Sequence, residues 1–229
     1  MLILVTGASR GIGLELVKKL ASQKGNLVLA VSRNIKPLKK LSSSNHSVLP
    51  VKADITVSKD IASLAGVVRR LGMPLSVLVN NAGLLVKKDF EKMGLQDLKS
   101  TFVTNVYAPY LLIQKLLPYM SKKGAHVVNI SSMGGVQGTS KFPGLSAYSS
   151  SKGALSVLTE CLAEELKPRK VSVNCLALGA VQTEMLTAAF PGYRAPLVPS
   201  EMADFIAEFA TQGARFFNGK IIPVSQSTP

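Results

Sequence analysis

Metal and disulfide chemistry have little to work with in this chain. Its 229 residues include two cysteines, Cys161 and Cys175, and two histidines, His46 and His126. No two of these residues stand at a metal-ligand spacing, which argues against a metal centre and against a disulfide framework. Two reduced, part-buried thiols are the expectation. No apolar run reaches the length that crosses a bilayer. The stretch after Met1, Leu2 to Gly7, is too short for a secretory signal and lacks a basic start. A soluble, cytoplasmic protein with no membrane partner is therefore expected. Charged residues make up only 17% of the chain and apolar ones 47%, which excludes global disorder and allows a sizeable core. No repeat of solenoid period and no linker interrupts it, so residues 1–229 read as one α/β domain.

Acidic residues are also scarce. There are 13 against 27 Lys and Arg, giving a net charge of +14. Such a balance attracts phosphates, nucleic acids and acidic partners. The cations are nonetheless scattered, in short clusters at Lys36, Lys39 and Lys40, at Lys87 and Lys88, at Lys122 and Lys123, and at Lys167, Arg169 and Lys170. There is no arginine-rich tail and no nucleic-acid motif, so nucleic acid is not expected as a partner and most of these residues read as solvated surface.

What is present is alternation. Short apolar runs read as strands at 2–6, 27–32, 47–53, 75–80, 127–131, 171–176 and 220–224. Helical periodicity fills 11–22, 37–41, 59–71, 95–120, 147–167 and 201–211. The helix over 95–120 should bend or break at Pro109. Residues 180–200, with three prolines and little periodicity, read as a mobile loop. Strand and helix alternating to the end predict a single doubly wound Rossmann fold: a parallel sheet of about seven strands with helices on both faces. On such sheets ligands bind beyond the carboxyl ends of the strands. Thr6-Gly7, Asn80-Asn81, Ser131-Ser132 and Leu178-Gly179 all fall at such ends.

Three motifs carry chemistry. The first joins the opening strand to its helix: Thr6-Gly7-Ala8-Ser9-Arg10-Gly11-Ile12-Gly13. Glycines there allow a tight turn and let the backbone approach a diphosphate seated on the helix N-terminus. The spacing is G-x-x-x-G-x-G, neither the G-x-G-x-x-G fingerprint nor a P-loop. A plain βα turn would look the same, but its place at the first βα junction points to a dinucleotide. The second motif, Ser32-Arg33-Asn34, ends the second strand. NAD sites usually carry a carboxylate there for the ribose hydroxyls, whereas an arginine suits the 2′-phosphate of NADP. Arg33, with Arg10 as a second cation, predicts NADPH over NADH. The third motif is Tyr148 with Lys152. In a helix this i, i+4 pair shares one face. A neighbouring ammonium favours the tyrosinate and lowers the phenol pKa, so the pair could exchange a proton with an alcohol or a carbonyl near pH 7. Alone, the spacing equally describes an exposed aromatic beside an exposed cation.

Together these residues resemble the short-chain dehydrogenase/reductase family over essentially the whole chain. The matching motifs are Thr6 to Gly13, Asn80-Asn81-Ala82-Gly83, Asn105, Asn129-Ile130-Ser131-Ser132, and Tyr148 with Lys152. The resemblance implies a catalytic set. Tyr148 would be the proton donor in carbonyl reduction. Lys152 would tune it and bind the nicotinamide ribose, Ser132 would hold the substrate oxygen, and Asn105 would hold a water that extends the relay. It also implies cofactor contacts: Gly7 and Ser9 to Gly13 on the diphosphate, Asp54 with Ile55 at adenine, Asn81, Ala82 and Gly83 along the cofactor, and Gly179, Val181 and Thr183 on the nicotinamide side. Strand-end and capping roles would explain Ser131, Ser132, Asn105 and Asp54 individually.

Three departures from the family pattern stand out. The loop from Met133 to Ser146 is enlarged, Leu178-Gly179 replaces the usual Pro-Gly, and the chain ends Val224-Ser225-Gln226-Ser227-Thr228-Pro229 without an acidic Gly-Gly ending. The pattern is most similar to 3-oxoacyl-(acyl-carrier-protein) reductases. Arg169 resembles a position where those enzymes carry a cation for the carrier, and Lys122, Lys123 and Lys170 would widen that face. The expected activity is NADPH-dependent reduction of a ketone or aldehyde, with a 3-oxoacyl thioester as one candidate small-molecule substrate. An NADP(H)-binding redox sensor without turnover is the alternative. Residues 180–200 would close over the substrate, with Met185, Phe190 and Tyr193 as apolar contacts. A homodimer or homotetramer would form through 100–120 and 147–167.

Overall fold

In the computed structural model, residues 1–225 are described. Seven strands form one parallel sheet: β1 (Leu2–Thr6), β2 (Leu27–Ser32), β3 (Val48–Lys52), β4 (Leu75–Asn80), β5 (Ala125–Ser132), β6 (Val171–Leu178) and β7 (Ile221–Val224), in the order β3-β2-β1-β4-β5-β6-β7. The order reverses between β1 and β4, and such a switch point leaves a crevice at the carboxyl ends. The fold expected from the sequence is the one observed.

Strand β1 shows why the sheet needs helices on both faces. Leu2, Ile3, Leu4 and Val5 are all 0% exposed. Side chains alternate across a strand. Leu2 and Leu4 enter one core, with Leu29, Leu78 and Val127 from the sheet. Ile3 and Val5 enter the other, with Val28, Val77 and Val79. Fully burying each such side chain contributes about 1.5–3 kcal/mol, so a strand apolar at every position is stable only when covered twice.

The first core is closed by α3 (Ser58–Leu71), α5 (Ala108–Leu116) and α6 (Ser146–Glu165), through Ile61, Leu64, Leu112 and Leu162. The second is closed by α1 (Gly11–Ser22), α2 (Lys36–Ser42) and α8 (Pro199–Gln212), through Leu16, Leu20, Leu38 and Ile206. Helix α8 begins before the expected Glu201 because Pro199 suits the first turn, where no N–H is needed. Glu201 then accepts the Val198 N–H at 2.9 Å. Buried His126 ties α8 to the sheet. Its Nδ1 lies 3.0 Å from the Ala210 carbonyl and its Nε2 3.0 Å from Asn174 Nδ2, a pattern that assigns the Nδ1–H tautomer. Burial pushes its pKa down to about 4, so the ring is neutral. Cys175 is buried while Cys161 is exposed, which corrects the expectation of two part-buried thiols.

Two expected elements are broken up, and both breaks shape the crevice. The helix expected over 95–120 is α4 (Leu95–Phe102), a π-helical turn (Val103–Tyr107), α5, and a 3-10 turn (Leu117–Tyr119). Pro109 has no N–H to give to the Asn105 carbonyl, so the helix widens one turn earlier than the proline itself. The expected mobile loop over 180–200 contains α7 (Glu184–Ala189) and a parallel bridge between Val181 and Leu197. Thr183 caps α7 by accepting the Leu186 N–H at 3.2 Å. The chain end, Gln226 to Pro229, lies outside the described residues.

Candidate functional site

Three βα connections build the floor of the crevice. After β1 the chain turns at Gly7, whose φ is +65°. A Cβ on Gly13 would stand 2.2 Å from the Gly7 carbonyl oxygen, so no other residue lets α1 pack this close. A Cβ on Gly7 would meet Ala82 at 2.8 Å. The loop after β4 is thus pressed against the loop after β1. Asn81 locks the contact, donating through Nδ2 to the Thr6 carbonyl at 2.9 Å. Thr6 Oγ1 accepts the N–H groups of Asn81 and Ala82, each at 3.1 Å.

Helix α6 carries Tyr148 and Lys152. Lys152 is 3% exposed. Its Nζ donates to the Ile130 carbonyl at 2.7 Å and lies 5.8 Å from the centre of the Tyr148 ring. Ser131 Oγ donates to the Lys152 carbonyl at 2.9 Å, fastening α6 to the end of β5. A Cβ on Gly135 would come within 2.7 Å of the Lys152 backbone, so that glycine is what lets the turn after β5 lie on α6. Ser132 accepts the Gly134 N–H at 3.3 Å.

The pKa values correct one expectation. Burial pushes Tyr148 up to about 12, and its hydrogen bond with Ser132 only partly offsets this. Burial pulls Lys152 down to about 8. The lysine does not depress the phenol here, because the ammonium points at the Ile130 carbonyl and desolvation outweighs its field. Tyr148 is thus held as a neutral phenol across the physiological range.

Asn105 sits where the broken helix puts it. It is 0% exposed and does not line the cleft. Its carboxamide accepts the Leu84 N–H at 2.8 Å and donates to the Leu84 carbonyl and to Ser151 Oγ, both at 2.9 Å. It therefore pins the chain leaving β4 against α6. A Cβ on Gly83 would lie 3.5 Å from both Asn105 Oδ1 and Lys152 Nζ, so the two groups flank the same glycine.

The other catalytic and cofactor-contact residues expected from the sequence line one cleft of about 600 Å³. Gly7, Ser9, Arg10, Gly11, Ile12, Gly13, Arg33, Asp54 and Ile55 occupy one end, and Ser132, Tyr148, Lys152, Gly179, Val181 and Thr183 the other, with Asn81, Ala82 and Gly83 between. A cleft of this extent over a glycine turn fits a dinucleotide. Gly11, with φ +51°, offers no side chain toward it. At the nucleotide end Ser32 Oγ donates to Ser9 Oγ at 2.9 Å. Arg33 is well exposed and lies 3.9 Å from Asp54. Asp54 accepts from the Thr56 N–H and hydroxyl at 3.0 and 2.7 Å, and those bonds, with the Arg33 charge, hold its pKa low against burial. Gly179 is required by proximity: a Cβ would meet Ser225 Oγ at 2.5 Å.

Sequence reasoning missed Leu84 and Leu85, which follow directly on Asn-Ala-Gly and line the cleft beside Phe142 and Leu145 of the enlarged loop over 133–146. Phe142 meets Phe190 edge-on at 6.2 Å. Glu184 was also missed; it takes Arg10 at 2.8 Å across the cleft mouth. Only the adjacency of Leu84 to the Asn81 motif could have signalled this. Arg169 and Lys170 precede β6, and Lys122 and Lys123 precede β5, so all four lie at the sheet edge opposite the cleft. Arg169 donates there to the Leu117 carbonyl at 3.4 Å.

The comparisons agree with this architecture. The short chain dehydrogenase model matches residues 1–194, and the chain belongs to that family. It is 31% identical over 215 residues to a fatty acyl-CoA reductase of Acinetobacter baylyi, covering 89% of this chain and 70% of that protein. It is 30% identical to the 3-oxoacyl-[acyl-carrier-protein] reductase FabG of Aquifex aeolicus, covering 97% and 94%. Two solved structures superpose closely. An NADPH-bound carbonyl reductase from chicken fatty liver has a TM-score of 0.85 at 27% identity, covering 96% and 95%. A 3-ketoacyl-(acyl-carrier-protein) reductase from Brucella melitensis complexed with NADH has the same score and identity, covering 97% and 96%. The protein is an oxidoreductase of a family rich in carbonyl reductases.

Proposed function

We propose that the protein reduces a ketone or aldehyde to the alcohol with NADPH, Tyr148 giving the proton. The observation that carries this reading is the shared cleft: a neutral phenol, a serine hydroxyl and a buried ammonium line the same space as a glycine turn and Arg33. When bound, the cofactor supplies the hydride. The remaining work falls to the chain. Negative charge builds on the substrate oxygen as the carbonyl is reduced, and donors already in place stabilise it without reorganising. Ser132 and Tyr148 would be those donors, and Tyr148 would hand over its proton. Lys152 would restore that proton and hold the positive charge nearby. Asn105 would keep the π-helical turn and Leu84 against α6, so that the lysine has one available position. The glycine turn would take the diphosphate, and Arg33 with Arg10 would take the 2′-phosphate, since the end of β2 carries no carboxylate. A 3-oxoacyl thioester is the substrate class supported by the FabG and acyl-CoA reductase likenesses. Assembly as a dimer or tetramer would cover Tyr107, Tyr110, Leu111 and Val157, which α5, α6 and the π turn leave exposed.

Tyr148→Phe is the test. Turnover of a carbonyl panel should fall about a thousandfold, while NADPH binding, read by calorimetry, holds within a few-fold. Wild-type protein that binds NADPH yet reduces nothing in the panel would move the reading to a redox sensor.

A further inference from the structure

At its substrate end the cleft adjoins a second, more open depression that the roles above leave unused. Its walls include Lys87, Lys88, Asp89, Lys92, Phe142 and Phe190. Phe142 and Phe190 also line the cleft, so the two spaces share an aromatic wall. The three cations are not equivalent. Lys88 is paired with Asp97 at 2.6 Å and Lys92 with Asp89 at 2.8 Å. Lys87 has no carboxylate partner among the described residues. Its Nζ donates to the Ala189 carbonyl at 3.0 Å and stands 4.1 Å from the centre of the Phe190 ring. One carbonyl uses one of the three ammonium protons, which leaves donors for a ligand. The rest of the substrate wall is apolar, through Leu84, Leu85, Met133, Leu145 and Met185. The other cations of the cleft are committed elsewhere. Lys152 is buried on the Ile130 carbonyl, and Arg10 and Arg33 stand at the nucleotide end. Lys87 therefore stands beside the apolar section with its positive charge unpaired by any carboxylate among the described residues.

We propose that this rim is a subsite for an anionic group on the end of the substrate remote from its reacting carbonyl. The substrate would then combine an apolar body with a carboxylate- or phosphate-bearing tail. This rests on the reading of the protein as a carbonyl reductase and names its substrate class. A carboxylate or phosphate on Lys87 would make a charge-assisted hydrogen bond, and the two rings would shield that bond from water on one side. The cations of Arg169 and Lys170 stand at the opposite edge of the sheet and do not serve this role within one chain.

Two matched pairs of substrates test the proposal on the full chain with NADPH. The first pair is 9-oxodecanoic acid, whose ketone and carboxylate lie at opposite ends, and its methyl ester. The second is acetoacetyl-4′-phosphopantetheine and acetoacetyl-pantetheine, which share the reacting group and differ only in the phosphate. In at least one pair the charged member should be favoured about tenfold in kcat/KM, and the responsive pair identifies the tail as carboxylate or phosphate. Lys87→Glu should erase that ratio, and high salt should shrink it. If Lys87→Glu does not fold, Lys92→Glu replaces it; that side chain is 73% exposed, and the ratio should drop about threefold. No preference in either pair overturns the proposal, and so does a preference that survives the charge reversals. Calorimetric binding of 9-oxodecanoic acid to NADP+-loaded protein gives the same comparison without turnover. Binding that depends on Lys87 in a protein that reduces none of the four compounds would sink the reductase reading and leave the subsite standing.

Discussion

The two ends of the cleft are built from different materials. At the nucleotide end the backbone does the shaping: Gly13 within 2.2 Å of a carbonyl once a Cβ is added, Gly7 against Ala82, Thr6 and Asn81 cross-bonding two loops. At the substrate end the surface is side chains on two excursions, 133–146 and 180–200, held by exposed contacts such as Arg10 to Glu184 and Lys87 to Phe190. A backbone-built site tolerates almost no substitution. A side chain-built site can change its ligand one residue at a time. The difference explains how proteins that share this fold and its glycine turn can differ in the substrate they take.

The sharpest test of the comparison is at Arg33, a part of the nucleotide end that is an exposed side chain and not packed backbone. Arg33→Asp replaces the exposed cation after β2 by the carboxylate that favours ribose hydroxyls. NADPH affinity should fall about a hundredfold, in keeping with the loss of a charged hydrogen-bond partner, while NADH binding is spared. KM for the carbonyl, measured with saturating NADH, should not move beyond twofold. Equal loss for both cofactors would show that Arg33 supports the fold of that end rather than reading the phosphate.

The next effect joins the two ends, since Tyr148 and Lys152 stand between them. Lys152 has its pKa drawn down to about 8, and Tyr148 has its own pushed up to about 12. Below about 8 both the phenol proton and the ammonium are present. As pH rises through that value the ammonium is lost first, while the phenol stays neutral. Reduction at saturating cofactor should therefore fall about tenfold per pH unit above about 8, with no acidic limb from this pair. A profile flat to about pH 10 would mean that the lysine need not be charged, contrary to the relay.

The same contrast governs what was legible before any coordinates. The sheet, its switch point and the glycine loop follow from apolar runs and from spacing within one βα unit, and those signals are local. Tyr148 and Lys152 share a helix face, so their spacing sufficed. The break in the 95–120 helix was half visible. Pro109 gave the interruption, but the displacement to Val103–Tyr107 depends on which carbonyl loses its partner, and Asn105 uses that turn to reach Leu84 and Ser151. The ordering of 184–189 was not visible. It depends on Thr183 as a cap and on tertiary partners from residues 10, 87 and 142. The expected drop in the Tyr148 pKa failed for the same reason, because sequence spacing says nothing about how deeply a pair is buried or where the ammonium points.

The smallest effect tests whether the substrate end is as loosely held as its contacts imply. Arg10 and Glu184 join the glycine loop to the first residue of α7 at 2.8 Å, with side chains 65% and 68% exposed. An exposed ion pair contributes little, because solvent screens it and two long side chains lose freedom to form it. Glu184 also sits at a helix start, where a negative charge is favoured, though in so short a helix that gain is small. Glu184→Gln should therefore raise KM for the carbonyl about two- to threefold by loosening α7, with kcat nearly unchanged. Added salt should shrink the gap between variant and wild type, since it weakens the pair that the variant lacks. NADPH affinity should stay level or improve slightly, because Arg10 is released toward the 2′-phosphate. A cofactor affinity that falls further than KM rises would show that the pair props the glycine loop, and the two ends of the cleft would then have to be treated as one unit.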